Sequence, residues 1–582
     1  MCTNTRPSSQ LAGFSCAGQN PQAEASATQN NLNFIENIFE RLQQASSRVV
    51  LAEAHPEDIR TATGSDLLAQ IATARAFLRA SGVAKGDRCA LVAPNGIRWA
   101  ALDLAIIFEG LIAVPMYARQ AAGELAAMLR DAQPALICCG DSALRDAIAA
   151  QWPDAPRFVL FDDIFSSIPP AATNAPFPPT ALSPQDTVAI LYTSGTSGEA
   201  KGVMLTVGNL DHMLSCTKAR LDQLMGARNM PDRVFHYLPF CFAGSWILLL
   251  SCLSRNSVLT ISMDLTKLAD EIRGAAPDYF LNVPALLERI RTGVGDNIRK
   301  RGGAIARIFE NANAAWLRLD AKAPHAWDFF WLGLAGLLIF PSIRKRMGPN
   351  LRALICGSAP LARETQLFFM MLGINVLQVY GLTETTAICT MDDPQHVVPG
   401  RVGPAIPGVE MKIAEDGEIV VRGQNIFPGY WRRPEQTATV LRDGWFRTGD
   451  QGDADAQGNW RITGRIKNLI ILNSGHNIAP EPIEEELFRA ITGAQHVMLV
   501  GNGRSFLAAI ITGTAASAEI DSQLEHMNAA LPHYRKIRRY HVSQELFTIE
   551  NGLLTANGKL RRDVIAAHFA ACLLYTSDAA DE

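Results

Sequence analysis

The chain has 582 residues, 48% of them hydrophobic and 19% charged, and a formal net charge of −4. That length calls for two or more cores, and that charge gives no electrostatic footprint for nucleic acid. Eleven cysteines without Cys-x-x-Cys spacing argue against a zinc site or a disulfide frame, and for reduced thiols in a cytoplasmic protein.

Residues 1–30 are rich in Ser, Gln, Asn, Thr and Ala. They have neither the basic start nor the apolar centre of a secretory signal, so they read as a disordered leader. The stripe Ile35, Ile38, Phe39, Leu42 predicts a helix beginning near residue 33. Ser65 or Asp66 is expected to cap a second helix, with Leu67, Ile71, Ala74 and Leu78 on one face and Gly82 at its end. Residues 88–92 read as a strand closed by Pro94-Asn95-Gly96, residues 97–108 as a largely apolar helix, and residues 111–114 as the next strand. Strands alternating with helices predict a mostly parallel α/β sheet.

A buried strand is predicted over residues 187–192, followed by Thr193-Ser-Gly-Thr-Ser-Gly-Glu-Ala-Lys-Gly-Val203. Helical spacing resumes at Leu210, Met213, Leu214, Leu221 and Leu224. Between them Gly195 and Gly198 let backbone N–H groups approach an anion. Thr193, Ser194, Thr196 and Ser197 add hydroxyl donors, and Lys201 adds a point charge. This is the chemistry of a phosphate cradle, although a plain surface loop has the same composition. It is not a Walker A loop, because Lys201 is followed by Gly202. The stretch 192–203 closely resembles the signature loop of adenylate-forming enzymes: acyl-CoA synthetases, luciferases and adenylation domains.

Further stretches extend the resemblance in the expected order. Leu238-Pro239 followed by aromatics resembles the wall of the acyl pocket. Phe242 stands where many relatives carry a histidine, and Trp246 where some long-chain acyl-CoA synthetases place a tryptophan over the fatty-acyl tunnel; core packing is the alternative for Trp246. Residues 278–290 and an insertion at 291–347 resemble the long-chain synthetases in particular. Within it, residues 329–340 carry no charge and are followed by Arg344, Lys345 and Arg346. This run falls short of the about 20 residues that span a bilayer. A buried helix and a membrane-surface segment over 327–346, with its cations toward anionic lipid, both fit.

Residues 354–360 and 376–385 are strands entering turns that resemble the adenine side of the adenylating fold. The resemblance implies that Gly357, Ser358 and Ala359 line adenine, that Tyr380 stacks on it beside Gly381, that Thr383 meets the α-phosphate, and that Glu384 holds Mg²⁺. A hard carboxylate oxygen suits that ion. Asp450, in Asp443-Gly-Trp-Phe-Arg-Thr-Gly-Asp450, would accept from the ribose hydroxyls. Arg465 would reach ribose and phosphates, and Lys467 would be the hinge to a small C-terminal domain. Asn468 departs from the aspartate of many relatives. Ser474, Gly475 and His476 occupy the turn that approaches CoA, where a missing side chain leaves room for a thiol tunnel.

Residues 480–487 open an acidic helix, and strands at 497–500 and 506–512 lead to another helix, an α+β pattern. Leu553-Leu-Thr-Ala-Asn-Gly-Lys559 resembles the family's closing motif, whose lysine bridges the carboxylate and the α-phosphate. Residues 572–582 match nothing and read as a non-native tail.

The resemblance therefore implies a large α/β domain of layered sheets with a small barrel-like part over 31–466, and a small mobile α+β domain over 467–570. The implied activity is ATP- and Mg²⁺-dependent activation of a medium- or long-chain acid to acyl-AMP, then transfer to CoA. The expected location is cytoplasmic, with peripheral contact at the inner membrane face. The alternatives are an acyl-AMP ligase loading an acyl carrier protein, and an inactive nucleotide- or lipid-binding relative.

Overall fold

The computed structural model describes residues 32–55, 58–166, 177–194, 200–555 and 558–574. Gly195, Thr196, Ser197 and Gly198 of the cradle, the expected leader and most of the expected tail lie outside the described residues.

The first helix, Phe34–Gln44, starts where its stripe predicts. The Asn33 side chain accepts from the N–H groups of Ile35 and Glu36, and Glu36 returns a bond to the Asn33 N–H, a capping box. The second helix, Gly64–Ala80, is capped by Thr63 rather than by Ser65 or Asp66. Asp66 instead supplies the reciprocal carboxylate of the box.

The helix Ile97–Phe108 is buried along almost its whole length. A helix apolar on every side must be covered on every side, and this one lies between two sheets. It touches Val49–Ala54 of one sheet and both Arg88–Val92 and Ile112–Met116 of the other. The first sheet has eight strands in the order Thr390–Met391, Asn375–Tyr380, Ala353–Cys356, Tyr279–Asn282, Asp232–His236, Ser257–Ser262, Val49–Ala54 and Ile59–Thr63. Its inner pairings are parallel and its two edges antiparallel. The second has six strands, Phe158–Leu160, Leu136–Cys139, Arg88–Val92, Ile112–Met116, Thr187–Ser194 and Ala200–Thr206.

The last two of these form an antiparallel hairpin in which Thr193 faces Lys201. Lys201 is thus on a strand, not in a loop that leads straight into a helix. Val203 and Leu205 turn inward to the core, and the helix Val207–Met225 begins only after Thr206.

The barrel-like part is a five-stranded antiparallel sheet of Val409–Ile413, Glu418–Gly423, Leu441–Arg442, Trp445–Ala454 and Trp460–Arg465. Beyond it, the helices Pro480–Ala490 and Ser517–Ala530 pack with a three-stranded sheet, Ala494–Val500, Leu507–Gly513 and Ile537–Ser543. This α+β unit has its own core around Leu487, Leu499, Ile511 and Ile520.

The insertion folds into four helices, Pro284–Arg301, Gly303–Asp320, Asp328–Leu338 and Phe340–Met347. The uncharged run is not a buried helix: only Asp328 and Ala335 of Asp328–Leu338 are buried. Among the described residues, no helix is long and apolar enough to cross a membrane.

Candidate active site

A cavity of about 2180 Å³ opens beyond the carboxyl ends of the strands Ala353–Cys356 and Asn375–Tyr380, the usual place for a ligand in an open α/β sheet. Thr193 and Lys201 from the hairpin, Gly357, Ser358, Ala359, Tyr380, Gly381, Thr383 and Glu384 from the strand ends, Asp450 and Arg465 from the antiparallel sheet, and Lys467 and Lys559 all line it. Residues spread over more than half the chain meet on one surface.

Local geometry explains several of these positions. A Cβ on Gly381 would stand 2.3 Å from the Ala387 carbonyl oxygen, so the chain can double back here only with glycine. Ser358 has φ +73, an uncommon conformation for a residue with a side chain. Asp450 and Arg465 are cross-strand partners. Arg465 Nε lies 2.9 Å from Asp450 Oδ1, and Tyr380 Oη donates to Asp450 Oδ2 at 2.8 Å. Burial raises the Asp450 pKa, against the opposing pull of Arg465, Tyr380 and Lys559. Each carboxylate oxygen keeps a lone pair for a further donor.

Tyr430 Oη donates to Glu384 Oε1 at 2.8 Å. Lys201 Nζ sits 5.1 Å from the centre of the Tyr430 ring. Among the described residues, no group of three or more His, Cys, Asp or Glu side chains could hold a metal. Glu384 still fits Mg²⁺, which is usually bound by one or two carboxylates with phosphate oxygens and water completing its shell.

Lys559 ends a closed turn: its N–H donates to Thr555 Oγ1 at 3.1 Å, and its carbonyl accepts from the Thr555 N–H at 2.8 Å. The side chain is open to the lumen yet ringed by protein. That desolvation, reinforced by the Arg465 guanidinium, lowers its pKa to about 8 against the attraction of Asp450 and Glu384.

Other predicted residues fall elsewhere. Phe242 lines the cavity, with Leu221, Leu224, Ile247, Leu248 and Leu281 extending an apolar wall. Trp246 does not line it. Its ring is fully buried and its Nε1 donates to Asp103 Oδ2 at 2.8 Å inside the core, so its expected place in the acyl pocket is corrected to a packing role. Ser474, Gly475 and His476 are exposed and also outside the cavity wall. Ser474 Oγ is 3.0 Å from His476 Nδ1, and the His476 ring stacks on Tyr534 at 4.2 Å. A Cβ on Gly475 would meet nothing within 4 Å, but its φ is +79, so here the turn's backbone, not space, calls for glycine. Asn468 Nδ2 donates to Glu481 Oε1 at 2.6 Å, which ties the hinge to the helix Pro480–Ala490.

Sequence reasoning missed Tyr430 and the group around Asp131. Tyr192 Oη donates to Asp131 Oδ2 at 2.6 Å, and Arg433 Nη2 donates to Asp131 Oδ1 at 3.0 Å. The only local signal was the aromatic pair Tyr430-Trp431 after Pro428-Gly429.

Comparison with known proteins agrees with this arrangement. The pattern of the family described as AMP-binding enzyme matches residues 38–431, and that of the AMP-binding enzyme C-terminal domain matches residues 467–573. The chain is 29% identical over 553 residues to the long-chain-fatty-acid–CoA ligase FadD15 of Mycobacterium bovis, covering 86% of this chain and 90% of that protein. It is 26% identical over 475 residues to long chain acyl-CoA synthetase 3 of Arabidopsis thaliana, covering 75% and 70%. Among solved structures, ATP-bound MatB from Rhodopseudomonas palustris superposes with a TM-score of 0.70 at 24% identity, over 92% of this chain and 99% of that one. The Mycobacterium tuberculosis fatty acyl CoA synthetase gives 0.62 at 23% identity, over 93% and 99%. These likenesses show the adenylate-forming fold, and the match over residues 38–431 shows that the chain belongs to the AMP-binding enzyme family.

Proposed function

We propose that the protein is a fatty acid–CoA ligase that activates a medium- or long-chain carboxylic acid with ATP and passes the acyl group to CoA. The observation that carries this is the convergence of Lys201, Glu384 and Lys559 with the Asp450–Arg465 pair on one cavity that also has an apolar wall. The names of the relatives support the acyl-CoA reading, and the run of Leu221, Leu224, Ile247, Leu248 and Leu281 suits an aliphatic chain.

In the first step a carboxylate oxygen attacks the α-phosphorus of ATP, the new P–O bond forms, and pyrophosphate leaves. Asp450 accepts from the ribose hydroxyls while Tyr380 and Arg465 fix its oxygens. The turns at 357–359 and 380–381 frame adenine, and Thr383 donates to the α-phosphate. Lys201, Arg465 and Lys559 offset charge on the phosphoryl oxygens, so catalysis is positioning plus electrostatics. Glu384 would hold Mg²⁺, which when bound would supply Lewis-acid neutralisation of the phosphates. In the second step the CoA thiol, losing its proton, attacks the acyl carbonyl and AMP leaves.

The chain is best divided at Lys467, with 31–466 as the large domain and 467–570 as the small one. Lys559 faces the cavity while Gly475 lies outside it, which suits the first step. The second step then needs a rotation about Lys467 that brings the 474–476 turn to the site. The test separates the half-reactions in a Lys559→Ala variant. Acid-dependent pyrophosphate release should be lost while supplied acyl-AMP is still converted to acyl-CoA; equal loss of both would overturn the division of labour.

A further inference from the structure

The helix Asp328–Leu338 presents a wholly apolar outer face. Trp327 is 61% exposed, Phe329 71%, Phe330 52%, Leu337 76% and Leu338 52%. Phe330, Gly333 and Leu337 recur at helical spacing along the outward line, with Phe329, Trp327 and Leu338 beside it, while Asp328 and Ala335 on the opposite side are buried. A helix apolar on all sides is normally covered on all sides. Here half its girth is open, and five of the large apolar side chains exposed among the described residues fall between 327 and 338. Such a concentration marks an interaction surface.

The charges next to this face are of one sign. From Phe329 to Met347 there is no Asp or Glu, and Asp328 is buried against the Arg318 guanidinium. The following helix, Phe340–Met347, exposes Arg344, Lys345 and Arg346 in its last turn, and no ion pair involves any of the three among the described residues. Aromatic and leucine side chains bordered by cations are the composition of a segment that lies in a lipid interface.

We propose that residues 327–346 form a docking surface for an anionic lipid bilayer, with Phe329, Phe330 and Leu337 entering the headgroup boundary and Lys345 and Arg346 meeting lipid phosphates. The basic turn favours lipid over a second copy of the chain, because its cations attract anionic headgroups and repel their own kind. The surface also borders the site. Arg344 and Arg352 line a hollow of about 560 Å³ whose wall includes Leu224, and Leu224 lines the large cavity as well.

Cosedimentation of the full chain with phosphatidylcholine vesicles, with and without phosphatidylglycerol, tests this. The wild type should bind the mixed vesicles. Phe330→Ser with Leu337→Ser should weaken that binding by more than about tenfold. Lys345→Ala with Arg346→Ala should lower affinity for the mixed vesicles by about fivefold per charge and abolish the preference for phosphatidylglycerol. The substituted side chains are exposed, so folding is retained and is checked by an unchanged melting temperature. Absence of binding by the wild type would overturn the proposal. So would unchanged vesicle binding in the serine variant accompanied by loss of a dimer, which would assign the face to a second copy.

Discussion

Lys559 gives the most discriminating test of the site, because the proposed reaction requires its charge and its surroundings tune that charge. The ammonium faces the cavity, where desolvation, reinforced by the Arg465 guanidinium, lowers its pKa to about 8 from an ordinary 10.5. If its charge offsets the phosphoryl oxygens, the neutral amine is inactive in the first half-reaction. The second-order rate constant for ATP reports the free enzyme. It should therefore be level below about pH 7 and fall as pH rises through about 8, by about tenfold per further unit. An unperturbed lysine would hold the rate level to about pH 10. Acid-dependent pyrophosphate–ATP exchange, followed from about pH 6 to about pH 10, measures this limb. A Lys559→Arg variant, whose guanidinium does not titrate in that range, should keep a residual rate without the limb. Conversion of supplied acyl-AMP should not share the limb, because the proposed second step makes no use of Lys559. A wild-type profile level past pH 9, or an identical limb in Lys559→Arg, would refute the assignment.

Other perturbations probe the surrounding shell. Tyr430→Phe removes the donor to Glu384 Oε1 at 2.8 Å but keeps the ring packed on Phe427. A hydrogen bond to a charged group contributes about 1.5–3 kcal/mol, so kcat/KM should drop at least about tenfold with a raised Mg²⁺ requirement in titrations. An unchanged Mg²⁺ curve would count against Glu384 as ligand. Gly381→Ala forces a Cβ to 2.3 Å from the Ala387 carbonyl oxygen. Urea unfolding should show a loss near the upper end of overpacking costs, about 3 kcal/mol, and a loss below about 0.5 kcal/mol would mean the turn can open. Asp103 is fully buried and its pKa is raised by burial to about 7 from 3.8, with the Trp246 bond pulling the other way. Its folded pKa exceeds its unfolded one, so its contribution is intact below about pH 4 and is lost as pH rises to about 7. The stability of Asp103→Asn relative to wild type should grow by up to about 4 kcal/mol over that window and then stay level; a difference independent of pH would contradict the burial argument.

The parts of the site that were legible in the sequence are those written in contiguous residues. Gly357 to Ala359, Tyr380 to Glu384 and Thr555 to Lys559 each combine a turn with the group it presents, so the local chemistry announces itself. The donors to Asp450 and Glu384 could not be read this way. Tyr380 and Asp450 are 70 positions apart and Glu384 and Tyr430 are 46 apart, and only the sheet packing brings them together. Lys201 was placed in a loop because the Gly- and hydroxyl-rich stretch around it reads as one, yet its pairing with the preceding strand overrides that local signal. Trp246 misled for the opposite reason. An aromatic in an apolar helix packs by default, and nothing local distinguishes a wall residue from a core residue that answers a buried Asp103. The uncharged run at 329–340 shows the limit of periodicity: it marks an apolar helix but not which of its sides the rest of the chain covers.

The proposed activity is two-step conversion of a fatty acid to its CoA thioester. Mass spectrometry of products from ATP, Mg²⁺ and a series of short to long carboxylic acids, with and without CoA, tests it most directly. Acyl-CoA and AMP formed only when CoA is present, and best with the longer acids, is the expected result. Acyl-AMP accumulating despite CoA, or no AMP from any acid, would contradict it.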